Sequence, residues 1–139
     1  MATYVADGTT LARQNDDSPQ TYDSIPQLVN MSVVGQERGL IDVSNLSSTA
    51  REWKKALKDG LEMPCSAQWD PDNAIHVLIV ETDLDANTAR SWKVTFPDSP
   101  AQTVTFNAIV TRAVVTQIEL DNVLMLEWTI KPTGDLTWS

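Results

Sequence analysis

The chain has 139 residues; 19 Asp and Glu against 10 Lys and Arg leave a formal net charge of −9, and 42% of the residues are hydrophobic. That length and apolar content specify one domain with a packed core, and the negative balance opposes a surface built to neutralise phosphates. No stretch approaches the roughly 20 consecutive apolar residues that span a bilayer, and Met1 to Asp7 lack the basic and apolar regions of a secretory signal, so export by that route is not expected. A lone Cys65 forms no internal disulfide, so the fold must hold by packing.

Residues 1–24 are rich in Thr, Asp, Asn, Gln and Ser and include Gln14-Asn15-Asp16-Asp17-Ser18-Pro19. Such a stretch buries too little to order itself, which predicts a flexible N-terminal arm over 1–24 and a folded β domain over 25–139. From Ile25, Val29, Met31 and Val33 alternate with their neighbours as in a strand ending at Gly35, and 40–46 reads as a second strand. Thr49-Ala50-Arg51-Glu52 fits a capping box, Ala50, Trp53 and Leu57 share a helical face, Lys54, Lys55 and Lys58 suit the negative end of a dipole, and Gly60 stands where a C-cap is wanted. The pattern predicts a helix over 49–60.

Leu61, Met63, Cys65, Ala67 and Trp69 then alternate with polar residues, a strand that Pro64 marks as an edge or a bulge. Asp70-Pro71-Asp72-Asn73 predicts a second helix, with Asp70 as N-cap and Ile75, Leu78, Ile79 and Thr82 at helical spacing. Three strands follow, with inward sets Trp92, Val94, Phe96, then Val104, Phe106, Ala108, Val110, then Leu124, Leu126, Trp128, Ile130. Pro97-Asp98-Ser99-Pro100 and Asp121-Asn122 supply turns between them. A strand over 103–120 would extend about 60 Å at roughly 3.3 Å per residue, so it must bend, twist or project, and Arg112, which interrupts the apolar parity, marks the bend or a contact, an exposed bulge being the plainer reading.

The chemistry of catalysis is missing from this pattern. A triad would have to use the single histidine, His76, and no Gly-x-Ser-x-Gly elbow surrounds a serine; His76 is expected as a partly exposed helical residue, and Cys65 as a small buried hydrophobe. Asp83-Leu84-Asp85-Ala86-Asn87 opens like a calcium loop, but Thr88 replaces the required glycine and Val94 the bidentate acid. No metal, no cofactor and no enzyme activity are expected. Trp53, Trp69, Trp92 and Trp128 fall on apolar faces and are expected in the core, whereas Trp138 is either disordered or docked on a neighbouring subunit.

The succession Leu40-Ile41-Asp42-Val43-Ser44-Asn45-Leu46, Thr49-Ala50-Arg51-Glu52-Trp53, Asp59-Gly60-Leu61 and Trp69-Asp70-Pro71-Asp72-Asn73 resembles the major tail tube proteins of long-tailed bacteriophages. Ser91-Trp92-Lys93-Val94-Thr95-Phe96-Pro97-Asp98, Val104-Thr105-Phe106-Asn107-Ala108 and Thr129-Ile130-Lys131-Pro132-Thr133-Gly134 continue the likeness, which covers most of the chain from about residue 25. The resemblance implies a mainly β fold, a β-sandwich or barrel with one or two flanking α-helices and an extended hairpin. It also implies hexameric rings whose strands join into a closed inner β-barrel and which stack into a virion tail tube, assembled in the host cytoplasm, that conducts DNA at ejection. Its partners would be further copies of itself, the tape-measure protein and other tail proteins, with DNA passing through unbound and no membrane.

Carboxylates lining the bore would repel phosphates, and the repulsion between rings of net charge about 6 × −9 = −54 should be eased by added salt. Candidate lumen-facing residues are Thr105, Asn107, Glu119 and Glu127, which equally fit ordinary surface; candidate contacts between subunits or rings are Tyr4, Leu11, Gln36, Glu37, Arg38 and Trp138. Deleting 1–20 is expected to leave a folded monomer that forms no tubes. A secretion-system tube subunit, a tail connector and a small monomeric β-barrel binding an apolar ligand remain alternatives.

Overall fold

The computed structural model describes residues 8–15, 19, 21–97 and 102–139. Among the described residues, nine strands and one short helical segment follow in chain order: β1 Thr10–Gln14, β2 Tyr22–Ser24, β3 Leu28–Met31, β4 Gln36–Asp42, β5 Trp53–Gly60, β6 Met63–Gln68, α1 Ala74–Leu78 running into a π-helical turn Ile79–Asp83, β7 Arg90–Thr95, β8 Thr103–Thr116 and β9 Met125–Trp138. Seven strands form one antiparallel sheet in the order β2-β1-β7-β8-β9-β6-β3, and β4 pairs with β5 in a separate hairpin. The fold is mainly β, an open sheet with a short helical layer. None of its described helices is long and apolar enough to cross a membrane.

Strict alternation builds the sheet, because successive side chains of a strand point to opposite faces. Trp92 and Val94 on β7, Val104, Phe106, Ala108 and Val110 on β8, and Leu126, Trp128 and Ile130 on β9 are all buried, and Met63, Cys65 and Ala67 extend the same face across β6. Ile25, Ile79 and the half-buried Ile75 and Val80 cover it. Each large apolar side chain so buried contributes about 1.5–3 kcal/mol. The opposite face carries mostly hydroxyl, amide and charged side chains that are half-buried or exposed.

The extended hairpin expected from the long strand is present, with β8 and β9 at 14 residues each. Their register slips between Val110 and Arg112, so the bulge falls beside Arg112, and again between Thr105 and Asn107. β7 pairs only with Thr103 to Ala108 of β8, and β6 only with Met125 to Ile130 of β9. Among the described residues, β8 beyond Ala108 and β9 beyond Ile130 therefore have no strand hydrogen-bonded to their outer sides, although the Gly60 end of β5 packs against β9 at Pro132.

Several expectations are corrected. Residues 49–60 are not a helix: β5 pairs with β4, and Glu52 of the supposed capping box accepts from the Ser48 hydroxyl at 3.1 Å within the connecting turn. Trp53 is consequently half-exposed and outside the core. Gly60 is no C-cap; its backbone passes so close to Pro132 that a Cβ there would lie 2.5 Å from the proline Cβ. The second helix starts three residues later than expected, because the Asn73 side chain accepts from the backbone N–H of Ile75 and His76, while Asp70 caps only the N–H of Asp72.

His76 is fully buried, not partly exposed: its Nδ1 accepts from the Asp70 N–H at 3.1 Å and its Nε2–H donates to the Pro26 carbonyl at 2.9 Å. Trp69 stacks on its ring with centroids 6.0 Å apart. Leu124 is exposed. Within the stretch expected as a flexible arm, β1 and β2 join the sheet, and Leu11 and Arg13 are buried. Residues 1–7, Tyr4 among them, and the Asp98-Ser99-Pro100 part of the expected turn lie outside the described residues.

Candidate assembly surfaces

The surface of this molecule is unusual in where its large apolar side chains sit. Two hairpins carry most of them, with Val29 and Trp138 the main exceptions. On the β4–β5 hairpin, Leu40, Ile41, Leu46, Trp53 and Leu57 are exposed, Leu57 to 91%. At the turn of the β8–β9 hairpin, Ile118, Leu120 and Val123 are exposed to 75%, 90% and 62%. A two-stranded hairpin is marginal by itself in water, and clustered exposed apolar side chains mark surfaces that meet a partner.

The β4–β5 hairpin is anchored at its root. Lys131 reaches the Gly60 carbonyl at 2.6 Å and Asp59 at 3.1 Å, and Asp135 on β9 accepts from Gln36 at 3.4 Å and lies 3.8 Å from Lys58. Cross-strand register puts Arg38 opposite Lys58 and Leu40 opposite Lys55; these four with Gln36 and Glu37 line an open groove of about 440 Å3. Arg38 donates from Nε to the Ala56 carbonyl at 2.6 Å. At the far end the Ser44 backbone N–H donates to Asp42, holding its carboxyl below the usual carboxylate range, with Arg51 adding an ion pair at 2.6 Å.

The turn of the other hairpin is ordered by its own polar groups. Asn122 donates to Glu119 Oε2 at 3.0 Å, and Gln117 and Asp121 take positive φ of 63° and 81°, a conformation that Asp tolerates better than most residues. Its apolar side chains stay outside.

The open face of the sheet collects three of the four expected lumen residues: Thr105 and Asn107 on β8 and Glu127 on β9 share it by parity, whereas Glu119 lies at the hairpin turn. Up to Thr133 the charged side chains at the open-face positions of β7 to β9 are Lys93, Arg112, Lys131 and Glu127, so the face is not acidic. Lys93 sits 4.9 Å from the centre of the Tyr22 ring, and Lys131 is held by Asp59.

Of the expected contact residues, Gln36, Glu37 and Arg38 open β4 at the surface, and Trp138 ends β9 opposite Val104, half-exposed. Leu11 is 0% exposed against the core, so its side chain is already used within the chain.

Sequence reading missed the apolar residues of both hairpins, although Ile118, Leu120, Val123 and Leu124 around a turn signal were a visible oddity. It also missed a buried ion cluster. Arg13 grips Asp83 with both Nε and Nη2 at 2.8 and 2.7 Å, and Arg90 adds a third contact at 3.0 Å while donating to the Gln14 carbonyl. This cluster ties β1 to the end of the π turn and to β7. Cys65 is buried, and desolvation pushes its thiol up to about 12, which leaves it unreactive at neutral pH. Among the described residues no group of three or more His, Cys, Asp and Glu is placed to hold a metal ion.

No family model matches the chain, and no curated protein does. Its shape, in contrast, is widely shared. A chain of the sheath/tube terminator of the extracellular contractile injection system PVC matches with a TM-score of 0.76 at 9% identity, over 100% of this chain and 98% of the other. A chain from the tail of an empty gene transfer agent particle, determined with C6 symmetry, matches at 0.67 and 14% identity over 93% and 95%. The SPP1 tail tube matches at 0.73 and 7% identity, over 98% of this chain and 78% of that one. The likeness spans both hairpins and the sheet, and with it the resemblance first seen in scattered motifs becomes a statement about architecture: the chain has the tail tube fold.

Proposed function

We propose that the chain is a subunit of a tail-type tube, in which copies close into hexameric rings and the rings stack. The observation that carries this reading is the pair of half-paired strands, β8 beyond Ala108 and β9 beyond Ile130, flanked by two projections whose apolar side chains have no cover within the described residues. Unpaired edges are templates for another copy, and a head-to-tail contact repeated by rotation closes a ring. The C6 symmetry of one matching tail supports six as the ring number.

The open face of the sheet then lines the bore. With Ser91, Thr95, Thr105, Asn107, Thr129 and Thr133 along it, and with Lys93 and Lys131 already engaged by Tyr22 and Asp59, the wall is polar but offers few free cations to phosphate. A conduit for DNA needs that low adhesion. Its basis here is occupied lysines among hydroxyl groups, in place of the acidic wall expected from composition. Tape-measure and other tail proteins are the further partners, the virion tail is the location, and the role is structural.

Electron microscopy of purified protein over a concentration series tests the reading: rings or tubes are expected, and a monodisperse monomer at every concentration would overturn it. The likeness to a sheath/tube terminator favours one second reading, a terminating or connecting ring on the same fold. Single rings or short stacks in place of open-ended tubes would identify it. A monomeric binder of apolar ligands gains little support: the cavity beside Trp92 and Arg90, at about 170 Å3, falls below the roughly 300–1,000 Å3 of ligand sites, and the groove of about 440 Å3 on β4–β5 is open and lined by polar and charged side chains except at Leu40.

A further inference from the structure

Charge is unevenly divided in this chain. Residues 36–60, the β4–β5 hairpin and its turn, hold five of the 10 Lys and Arg but only four of the 19 Asp and Glu, so this segment is net +1 and the remainder net −10. The groove face gathers that charge: Arg38, Lys55 and Lys58 surround Leu40, against the one acid of the lining, Glu37, and Asp135 at 3.8 Å from Lys58, and Trp53 stands two residues before Lys55 on the same side of β5. The turn of the β8–β9 hairpin is its complement. Residues 117–124 contain Glu119 and Asp121, no cation, and the exposed Ile118, Leu120 and Val123.

We infer that the acidic, apolar turn of β8–β9 in one copy docks into the basic, apolar groove of β4–β5 in another. This deepens the tube reading and rests on it for the geometry of stacking, since the two hairpins belong to different sheets and the apolar side chains of each are uncovered among the described residues. Apolar contact between Leu120 and Leu40 supplies area, and the carboxylates facing Lys55, Lys58 and Arg38 fix orientation, because charge placed around an apolar patch steers encounter and rejects misregistered contacts. The bonds from the Asn122 side chain to Glu119 and Gln117 and from its backbone N–H to the Glu119 carbonyl hold the turn in one shape before contact, which lowers the entropy lost on docking. The sign of the salt effect reverses as a result: the contact is an attraction, and screening weakens it.

The test uses the full chain in two isotopic forms, mixed and treated with a zero-length carbodiimide. Links from Glu119 or Asp121 to Lys55 or Lys58 are expected between heavy and light copies. In parallel, Glu119→Lys with Asp121→Asn, and separately Lys55→Glu with Lys58→Glu, should each raise the concentration needed for assembly about tenfold or more, while all four changes in one chain recover most of that loss. Raising salt from about 50 to about 500 mM should raise the threshold of the unaltered protein. Rings or tubes that form without these links, at thresholds unmoved by either pair of substitutions, would overturn the docking contact and leave the tube reading standing. A protein that stays monomeric at every concentration and gives no links between copies would remove both.

Discussion

Asp83 lies almost fully buried between Arg13 and Arg90, so removing its carboxylate leaves the Arg13 guanidinium in the interior without its counter-charge. Asp83→Ala should lower the free energy of unfolding by about 3–5 kcal/mol, read from urea denaturation. At Gly60 the limit is space: Gly60→Ala drives a Cβ to within 2.5 Å of Pro132, and overpacking of that kind costs about 1–3 kcal/mol. A Pro132→Gly change in the same chain should absorb part of the cost, a coupling that a double-mutant cycle measures. Cys65 provides a pH signature. Its pKa is raised from 9.0 to about 12 on folding by desolvation, so the protonated thiol contributes stability that is complete below pH 9 and is lost as pH rises toward 12. Unfolding midpoints between pH 8 and 10.5 should therefore fall more steeply for the native chain than for Cys65→Ala. Cys65 was legible as a buried small side chain from its alternation with Met63 and Ala67, whereas Asp83 was not legible as critical, because it stands 70 residues from Arg13 and meets it only through the fold.

The strands β6 to β9 were readable because each packs one face on a single core, and alternation reports that burial directly. Residues 53–60 misled for the opposite reason. In β5 only Gly60 is buried, so Ala50, Trp53 and Leu57 at helical spacing reflected no core at all, and pairing with β4 decided the conformation. The capping residues served a turn instead: across the β4–β5 connection the Glu52 carboxylate accepts from the Ser48 hydroxyl, and the Glu52 backbone N–H donates to Ser44 Oγ. The helix at 74–83 was legible from its capping residues and only its start was misplaced, as Asn73 outcompetes Asp70 for the free N–H groups. The polar N-terminal stretch hid β1, whose few apolar positions, Leu11 and Ala12, sit beside a buried arginine that composition marks as surface. Deleting residues 1–20 should consequently destabilise the monomer itself, seen as loss of cooperative thermal unfolding by circular dichroism, instead of merely preventing tubes.

At the scale of the whole molecule, three of the four residues proposed for the lumen by parity share one sheet face; the apolar hairpin surfaces were not legible, because exposure of an apolar side chain is visible only once the core is complete. The sheet they flank is slanted in outline. One flank is stepped back over the near half of the long hairpin and the other over the far half. Tiles of that outline laid around a circle meet out of step, and a sheet closed out of step has its strands inclined to the axis by about 35–45°; a reconstruction of the assembled particle should show that tilt. A wall of inclined strands behaves as a braided sleeve does, so that any stretch along its length narrows the channel and any compression widens it.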